Sequence, residues 1–130
     1  MNPIRVTQMD HIVLAVADVE RSLRFYTEVL GIPGERVDEF RAGKVGFPSV
    51  RINSDTLIDI ATRKGEPAAP NVDHFCLVVQ PLDFAELLAY LRANDVPIVT
   101  EPVSRWGAHG RAMSVYIKDP DGNQVELRAY

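Results

Sequence analysis

The stretch MDHIVLAV at residues 9 to 16 returns in altered form as VDHFCLVV at residues 72 to 79. The aspartate-histidine pair, a leucine and a valine keep their spacing, and an amphipathic helical pattern follows each copy. Both copies are short apolar runs, a pattern that favours buried strands. A duplicated strand that places a histidine at the same point in each half predicts two half-sites of one metal or binding centre.

The composition restricts the class of protein. The chain has 130 residues, of which 46% are hydrophobic and 25% charged, as in a globular domain. A net charge of −4 without a Lys/Arg cluster argues against a nucleic-acid partner. No apolar run approaches the roughly 20 residues of a membrane span, and the start has no apolar signal core. We therefore expect no membrane partner, and because Cys76 is the only cysteine we expect a cytoplasmic protein without an internal disulfide.

Helix-breaking residues and the periodicity of apolar residues predict the same order of elements in both halves. The first half should contain a strand, a helix that Asp18 caps and Gly31 ends, and strands at residues 44–52 and 56–62. The second half should contain a strand at 73–79, a helix at about 82–93, a short strand at 98–100, a polar loop at 104–110 and a hairpin of 112–118 with 124–129. We therefore predict an α+β fold of two βαβββ modules, at about 8–63 and 71–129, in a single domain of residues 1–130.

Alternation along the strands places four metal-ligating side chains on the face that the helices do not cover. These are the repeated His11 and His74, with Asp59 and Glu126, each second from the end of an apolar tetrad. Two histidines and two carboxylates suit a divalent transition metal such as zinc, nickel, cobalt, manganese or iron. The alternative is that this face is the solvated side of an antiparallel sheet, which readily explains Arg128.

Other polar or aromatic side chains are candidates for contacting a substrate. They lie on the same face or in the glycine-containing loop near residue 107, and they are Ser49, Arg51, Ser114, Tyr116, Trp106 and Arg111. Trp106 could cover a bound ligand if the loop moves. His109 has no partner in the repeat, so it is not predicted to be a ligand.

The opening DHIVLAVAD with SLRFY and LG, and the ending YIKDPDGNQVE, resemble the vicinal oxygen chelate superfamily. That superfamily holds glyoxalase I, fosfomycin-resistance proteins, extradiol dioxygenases and bleomycin-resistance proteins. The resemblance spans residues 8 to 129, and its second half looks closest to glyoxalase-domain-containing protein 5 and bacterial virulence proteins. It implies paired modules that curl around a metal-binding cleft, commonly in a homodimer.

The resemblance also assigns roles to individual residues. His11, His74 and Glu126 match the three metal ligands, whereas Asp59 falls where glyoxalase I carries a glutamate and where three-ligand members carry a non-ligand. A metal with three protein ligands keeps open positions for a small molecule with two adjacent oxygens. Asp59 or Glu126, in that order, would then move the proton.

These roles predict a metal-dependent enzyme of the glyoxalase type, with lyase or isomerase chemistry. An iron(II) ring-cleaving dioxygenase is one alternative, because two histidines and a carboxylate match the facial triad of such enzymes. A non-catalytic protein that binds an antibiotic is the other. Glutathione use is not expected, because the chain lacks long insertions and a clear basic pocket beyond Arg51, Arg105 and Arg111.

Overall fold

The computed structural model describes residues 5, 7–65, 74–79, 83–107 and 109–130, and it divides into two compact units between residues 66 and 67. The first unit contains, in chain order, β1 (His11–Val16), α1 (Val19–Leu23), a π-helical segment (Arg24–Val29), β2 (Gly34–Glu35), α2 (Val37–Arg41), β3 (Ser49–Arg51) and β4 (Leu57–Thr62). The second contains β5 (Phe75–Val78), α3 (Phe84–Ala93), β6 (Val103–Gly107), β7 (Gly110–Lys118) and β8 (Gln124–Ala129).

The strands of the described residues form one four-stranded sheet in each unit. The strand orders are β1-β4-β3-β2 and β5-β8-β7-β6, which are the same order in two copies. In both sheets the first and last strands of the module pair in parallel, and the other neighbours pair antiparallel. This topology confirms the predicted α+β fold of two βαβββ modules.

Capping residues set the helix starts, as the sequence predicts for the first unit. The side chain of Asp18 accepts a hydrogen bond from the backbone N–H of Arg21 at 3.1 Å. In the second unit Asp83 does the same for Ala85 at 2.8 Å. The first helical run stops at Gly31, whose φ of +72° lies in the left-handed region. No helix in the described parts of the chain is long and apolar enough to span a membrane.

Alternating apolar residues make the core of each unit. In the first unit Ile58 and Ile60 of β4 are buried, together with Leu23 and Tyr26 from the helical run. In the second unit the buried residues are Val115, Ile117, Val125 and Leu127 of the central strands and Leu87, Leu88 and Leu91 of α3. The sides of these strands that alternation predicts to face the helices are therefore buried.

Three predicted elements differ in the structure. The strand expected at 44–52 is reduced to β3, because Gly46 and Pro48 interrupt the run and proline has no N–H for the ladder. Residues 98–100 form only an isolated bridge between Ile98 and Ile117. The loop expected at 104–110 is mostly β6, which is an edge strand paired with β7. Its polar residues gave no apolar strand pattern from which this pairing could be predicted.

Candidate functional site

The first half-site lies between the edge strand β1 and its parallel neighbour β4. Val13 pairs with Asp59 in this ladder, and His11 lies two residues before Val13 on the same face. The Nε2 atom of His11 is 3.8 Å from Oδ2 of Asp59. Its Nδ1 atom is 2.6 Å from Oδ1 of Asp10, and this hydrogen bond raises the pKa of His11 above its ordinary value. Nε2 is thereby directed towards Asp59.

The second half-site repeats this arrangement between β5 and β8. Cys76, the counterpart of Val13 in the repeat, pairs with Glu126, and His74 again precedes it by two residues. The Nε2 atom of His74 is 3.2 Å from Oε1 of Glu126. Strand register therefore gives each carboxylate the same relation to the histidine of its own unit.

Each carboxylate has one oxygen held by a buried serine and the other turned to the histidine. The hydroxyl of Ser49 donates to Oδ1 of Asp59 at 2.6 Å, and that of Ser114 donates to Oε2 of Glu126 at 2.6 Å. Ser49 lies directly opposite Asp59 in the ladder, whereas Ser114 lies opposite Arg128. The same serine–carboxylate hydrogen bond is therefore made from a different ladder position in each unit.

An arginine accompanies each carboxylate. In the first unit Nη2 of Arg36 donates to the Ser49 hydroxyl at 2.5 Å and lies 3.7 Å from Oδ1 of Asp59. Arg36 stands immediately before α2 with a φ of +58°, an uncommon conformation for a residue with a side chain. Its guanidinium also lies over the ring of Phe47, 5.8 Å from the centroid.

Arg128 accompanies Glu126 in the second unit, and its side chain is only 3% exposed. Nη1 donates to Oε2 of Glu126 at 3.0 Å and to the carbonyl of Trp106 at 3.2 Å. Nη2 donates to the carbonyls of Arg105 at 3.0 Å and Gly110 at 3.1 Å. Nε is the one buried side-chain nitrogen or oxygen of the described residues without a hydrogen-bond partner.

The surroundings of Glu126 favour its ionised form. Burial alone would raise the pKa of this carboxyl, but hydrogen bonds from Ser114 and Tyr116 and the charges of Arg128 and His74 lower it overall. Burial raises the pKa of the Tyr116 phenol, and the neighbouring Glu126 raises it further. The ring of Tyr116 also meets the His74 ring edge-on, with centroids 5.3 Å apart. At neutral pH this half-site therefore presents a carboxylate acceptor beside a protonated phenol.

The donor types fit a divalent metal, and the separations favour the second pair. Two ligands at bonds of about 2.1 Å lie about 3.0–3.4 Å apart at tetrahedral or octahedral angles. The His74–Glu126 separation of 3.2 Å falls in this range, and the His11–Asp59 separation of 3.8 Å is slightly outside it. No group of three or more His, Cys, Asp or Glu side chains that could hold a metal occurs within the described residues.

The other predicted substrate residues fall into two groups. Arg51 is held by Glu35, to which its Nη2 and Nε donate at 2.8 and 3.1 Å. Trp106 and Arg111 pair on the β6–β7 hairpin, with the guanidinium 5.1 Å from the indole centroid. Trp106 is 73% exposed, so its ring is available to a ligand.

Comparison with known proteins agrees with this arrangement of strands. A family model described as the Glyoxalase/Bleomycin resistance protein/Dioxygenase superfamily matches residues 8–127. The chain belongs to this superfamily. Proteins similar to this chain include virulence protein STM3117 of Salmonella typhimurium, which is 31% identical over 96% of this chain and 85% of its own length. Glyoxalase domain-containing protein RDO1 of Mycosarcoma maydis is 30% identical over 98% of this chain and 70% of its own.

Solved structures of the superfamily show the same fold. The crystal structure of STM3117 matches with a TM-score of 0.72 and 26% identity, covering 98% of this chain and 99% of the other. The trypanothione-dependent glyoxalase I of Leishmania major matches with a TM-score of 0.67 and 26% identity, covering 95% and 87%. Proteins similar to this chain therefore include a glyoxalase I as well as proteins named for virulence or for their domain.

Sequence reasoning missed or misplaced three residues of these half-sites. Asp10 has a signal, because the aspartate-histidine pair itself is repeated. Arg36 has none, because its left-handed backbone is invisible in the sequence. Arg128 fits a solvated face by pattern, yet it is buried, as are Asp59 at 6% exposure and Glu126 at 3%. The face away from the helices is thus exposed on β1 and β5, whereas Asp59 of β4 and Glu126 and Arg128 of β8 are buried on it.

Proposed function

We propose that this superfamily member is a divalent-metal-dependent enzyme of the glyoxalase type, acting on a small molecule with two adjacent oxygens. The observation that carries the proposal is the duplicated pair in which a histidine Nε2 faces one oxygen of a buried carboxylate while a serine holds the other. His11, His74 and Glu126 would hold zinc, nickel, cobalt, manganese or iron. Asp59, with the longer separation, would be the proton-transfer group or a fourth ligand.

Several wider features belong to the same proposal. The modules at about 8–63 and 71–129 would act as one domain, and two copies would pair as a homodimer in the cytoplasm. The superfamily resemblance supports the pairing, and the single cysteine supports the compartment. Light scattering of the purified protein tests the pairing, since a monomeric mass at working concentration would contradict it.

The chemistry divides between the metal and the side chains. A bound divalent ion supplies stabilisation of negative charge that develops on the substrate oxygens. Oδ2 of Asp59, which Ser49 leaves available, accepts a proton from the hydroxyl-bearing carbon beside a substrate carbonyl and returns it to the carbonyl carbon, while the hydroxyl proton passes to the former carbonyl oxygen. The Tyr116 phenol, protonated at neutral pH, donates to Glu126, and its oxygen is left to accept a hydrogen bond from a substrate hydroxyl. Trp106 and Arg111 would cover the substrate from the hairpin.

Metal analysis tests the first part of the proposal. Protein reconstituted with zinc, nickel or cobalt and then desalted should retain one ion for each pair of His11 and His74. The variants His11→Ala and His74→Ala should each lose it. His109→Ala is the matched control, because this third histidine has no counterpart in the repeat, and it should retain the ion. Background metal in the wild type, or unchanged metal in both variants, would refute the proposal.

Substrate tests separate the reaction types. With methylglyoxal and glutathione we expect little turnover, because Arg51 is already paired with Glu35 and the sequence indicates no clear basic pocket beyond Arg51, Arg105 and Arg111. Other 2-oxoaldehyde adducts should then be compared with zinc, nickel or cobalt bound. Oxygen uptake on a catechol with iron(II) would instead favour the dioxygenase alternative. Thermal stabilisation by an antibiotic without any metal would favour the non-catalytic binder.

A further inference from the structure

The guanidinium of Arg128 joins two parts of the second unit that otherwise have separate roles. Its four terminal N–H groups have four acceptors, namely one oxygen of Glu126 and the carbonyls of Arg105, Trp106 and Gly110. We propose that Arg128 is a positioning residue that couples the metal-facing carboxylate of Glu126 to the β6–β7 hairpin carrying Trp106. The metal part of this inference rests on the proposed function.

The first role of Arg128 is to select which oxygen Glu126 presents. Oε2 accepts from Nη1 of Arg128 at 3.0 Å and from the Ser114 hydroxyl at 2.6 Å. Oε1 is left facing Nε2 of His74 at 3.2 Å. Because Arg128 follows Glu126 by two residues on β8, both side chains leave the same face of one strand. The contact is therefore built into that strand.

The second role of Arg128 is to hold the hairpin. β6 lies at the edge of its sheet and pairs only with β7 in the described structure, through ladder pairs that end at Gly107 and Gly110. Arg128 lies opposite Ser114 of β7 and reaches past it to the carbonyls of Arg105 and Trp106 on β6. These bonds give the edge strand a second support.

Only an arginine can make both connections from this position. A lysine ammonium has three N–H groups on a single nitrogen, whereas the planar guanidinium offers donors on separated nitrogens. No such connection occurs in the described part of the first unit, because Ala61 occupies the place two residues after Asp59 and the arginine of that unit, Arg36, comes from a turn. A shift of Glu126 on binding a ligand is thus transmitted to the hairpin and to Trp106.

The test uses zinc as the probe and the single tryptophan as the reporter. Zinc added to metal-free wild type should change Trp106 emission, and the change should saturate together with zinc binding measured by calorimetry. In Arg128→Lys we expect zinc affinity to fall about 10- to 100-fold, as for other partners that orient a metal ligand. Emission should no longer follow zinc, and amide hydrogen exchange across residues 103–111 should be faster in the metal-free protein. Arg41→Gln, which breaks a surface ion pair with Glu20, is the matched control and should behave as wild type.

The outcomes separate this inference from the proposed function. A wild type that binds no zinc overturns the proposed function and the coupling together. Wild-type zinc binding with unchanged affinity in Arg128→Lys overturns the coupling alone, even if hairpin exchange is faster, because Arg128 is then only a structural clamp. Arg128→Met serves as a second variant that removes every donor. If it fails to fold, the lysine variant still decides between these results.

Discussion

The first unit supplies the counter-ion of its carboxylate from a turn, whereas the second supplies it from the same strand. Arg36, which is the residue immediately before α2, lies 3.7 Å from Asp59, and its side chain is 38% exposed. Arg128 leaves β8 beside Glu126 and is 3% exposed. The histidines and carboxylates share a register in both units, so the fold itself repeats them. Their charged neighbours come from different positions in the two units, although each buried carboxylate has an arginine beside it.

The largest expected difference concerns stability. Arg128→Met leaves the buried Glu126 without its cation and should lower the free energy of unfolding by about 3–5 kcal/mol. Arg36→Met removes a partly solvated cation, so the loss should stay at about 1 kcal/mol or less. Urea unfolding of both variants measures the two values. Equal losses would contradict the distinction between a buried and a solvated counter-ion.

The second comparison concerns metal affinity. Glu126→Gln should weaken zinc binding by more than the roughly 100-fold that loss of an outer partner costs, because Oε1 lies at ligand distance from His74. Asp59→Asn should weaken it only about tenfold, the low end of that range, since Oδ2 is 3.8 Å from His11. Competition titration with a chromogenic chelator measures both. A similar loss in the two variants would make Asp59 a full ligand.

The third comparison concerns the serines, where the units should behave alike. Ser49→Ala and Ser114→Ala each remove a 2.6 Å hydrogen bond from a buried carboxylate. Hydrogen bonds to charged groups contribute about 1.5–3 kcal/mol, and we expect about 1.5 kcal/mol from each serine. Urea unfolding measures the loss, with Ser54→Ala in an exposed turn as the control. Losses that differ by more than a factor of two would show that position in the ladder matters.

The smallest expected effect is a change in the pKa of Glu35, which lies in the first unit. Hydrogen bonds from Arg51 lower the pKa of Glu35, so the stability from this pair is present above the ordinary carboxyl pKa and fades as pH falls through the lower folded value. In Arg51→Gln the pKa of Glu35 should rise towards 4.5. Carbon-detected NMR of the Glu35 carboxyl measures it. Lys118→Gln, at the corresponding ladder position of the second unit, should leave that pKa unchanged.

Much of the fold was predictable because its signals are local. The repeated strand, the Asp18 cap and the apolar alternation around Ile58 and Ile60 each identify an element within a few residues. The failures involve β6 and β2, where polar or very short segments pair at a sheet edge. An edge strand needs no apolar face, so nothing in its own residues distinguishes it from a loop.

The site was predictable only as far as strand alternation reaches. Alternation places His11 on the same face as Asp59, and His74 on the same face as Glu126. Alternation does not show whether a side chain is buried or exposed. The pattern is therefore compatible with a solvated Arg128, although this side chain is buried and has four hydrogen-bond acceptors. Arg36 depends on a turn whose backbone conformation the sequence does not encode in any simple pattern.

The left-handed turn at Arg36 has a consequence for how this protein could change. Because the turn lies outside the ladder of β3 and β4, substitutions there can alter the charge beside Asp59 without disturbing strand pairing. The clamp at Arg128 offers no such freedom, since each of its bonds involves the hairpin or the carboxylate. In laboratory evolution towards a new substrate, we expect accepted mutations to accumulate around residues 36–41 and to avoid residues 126–128.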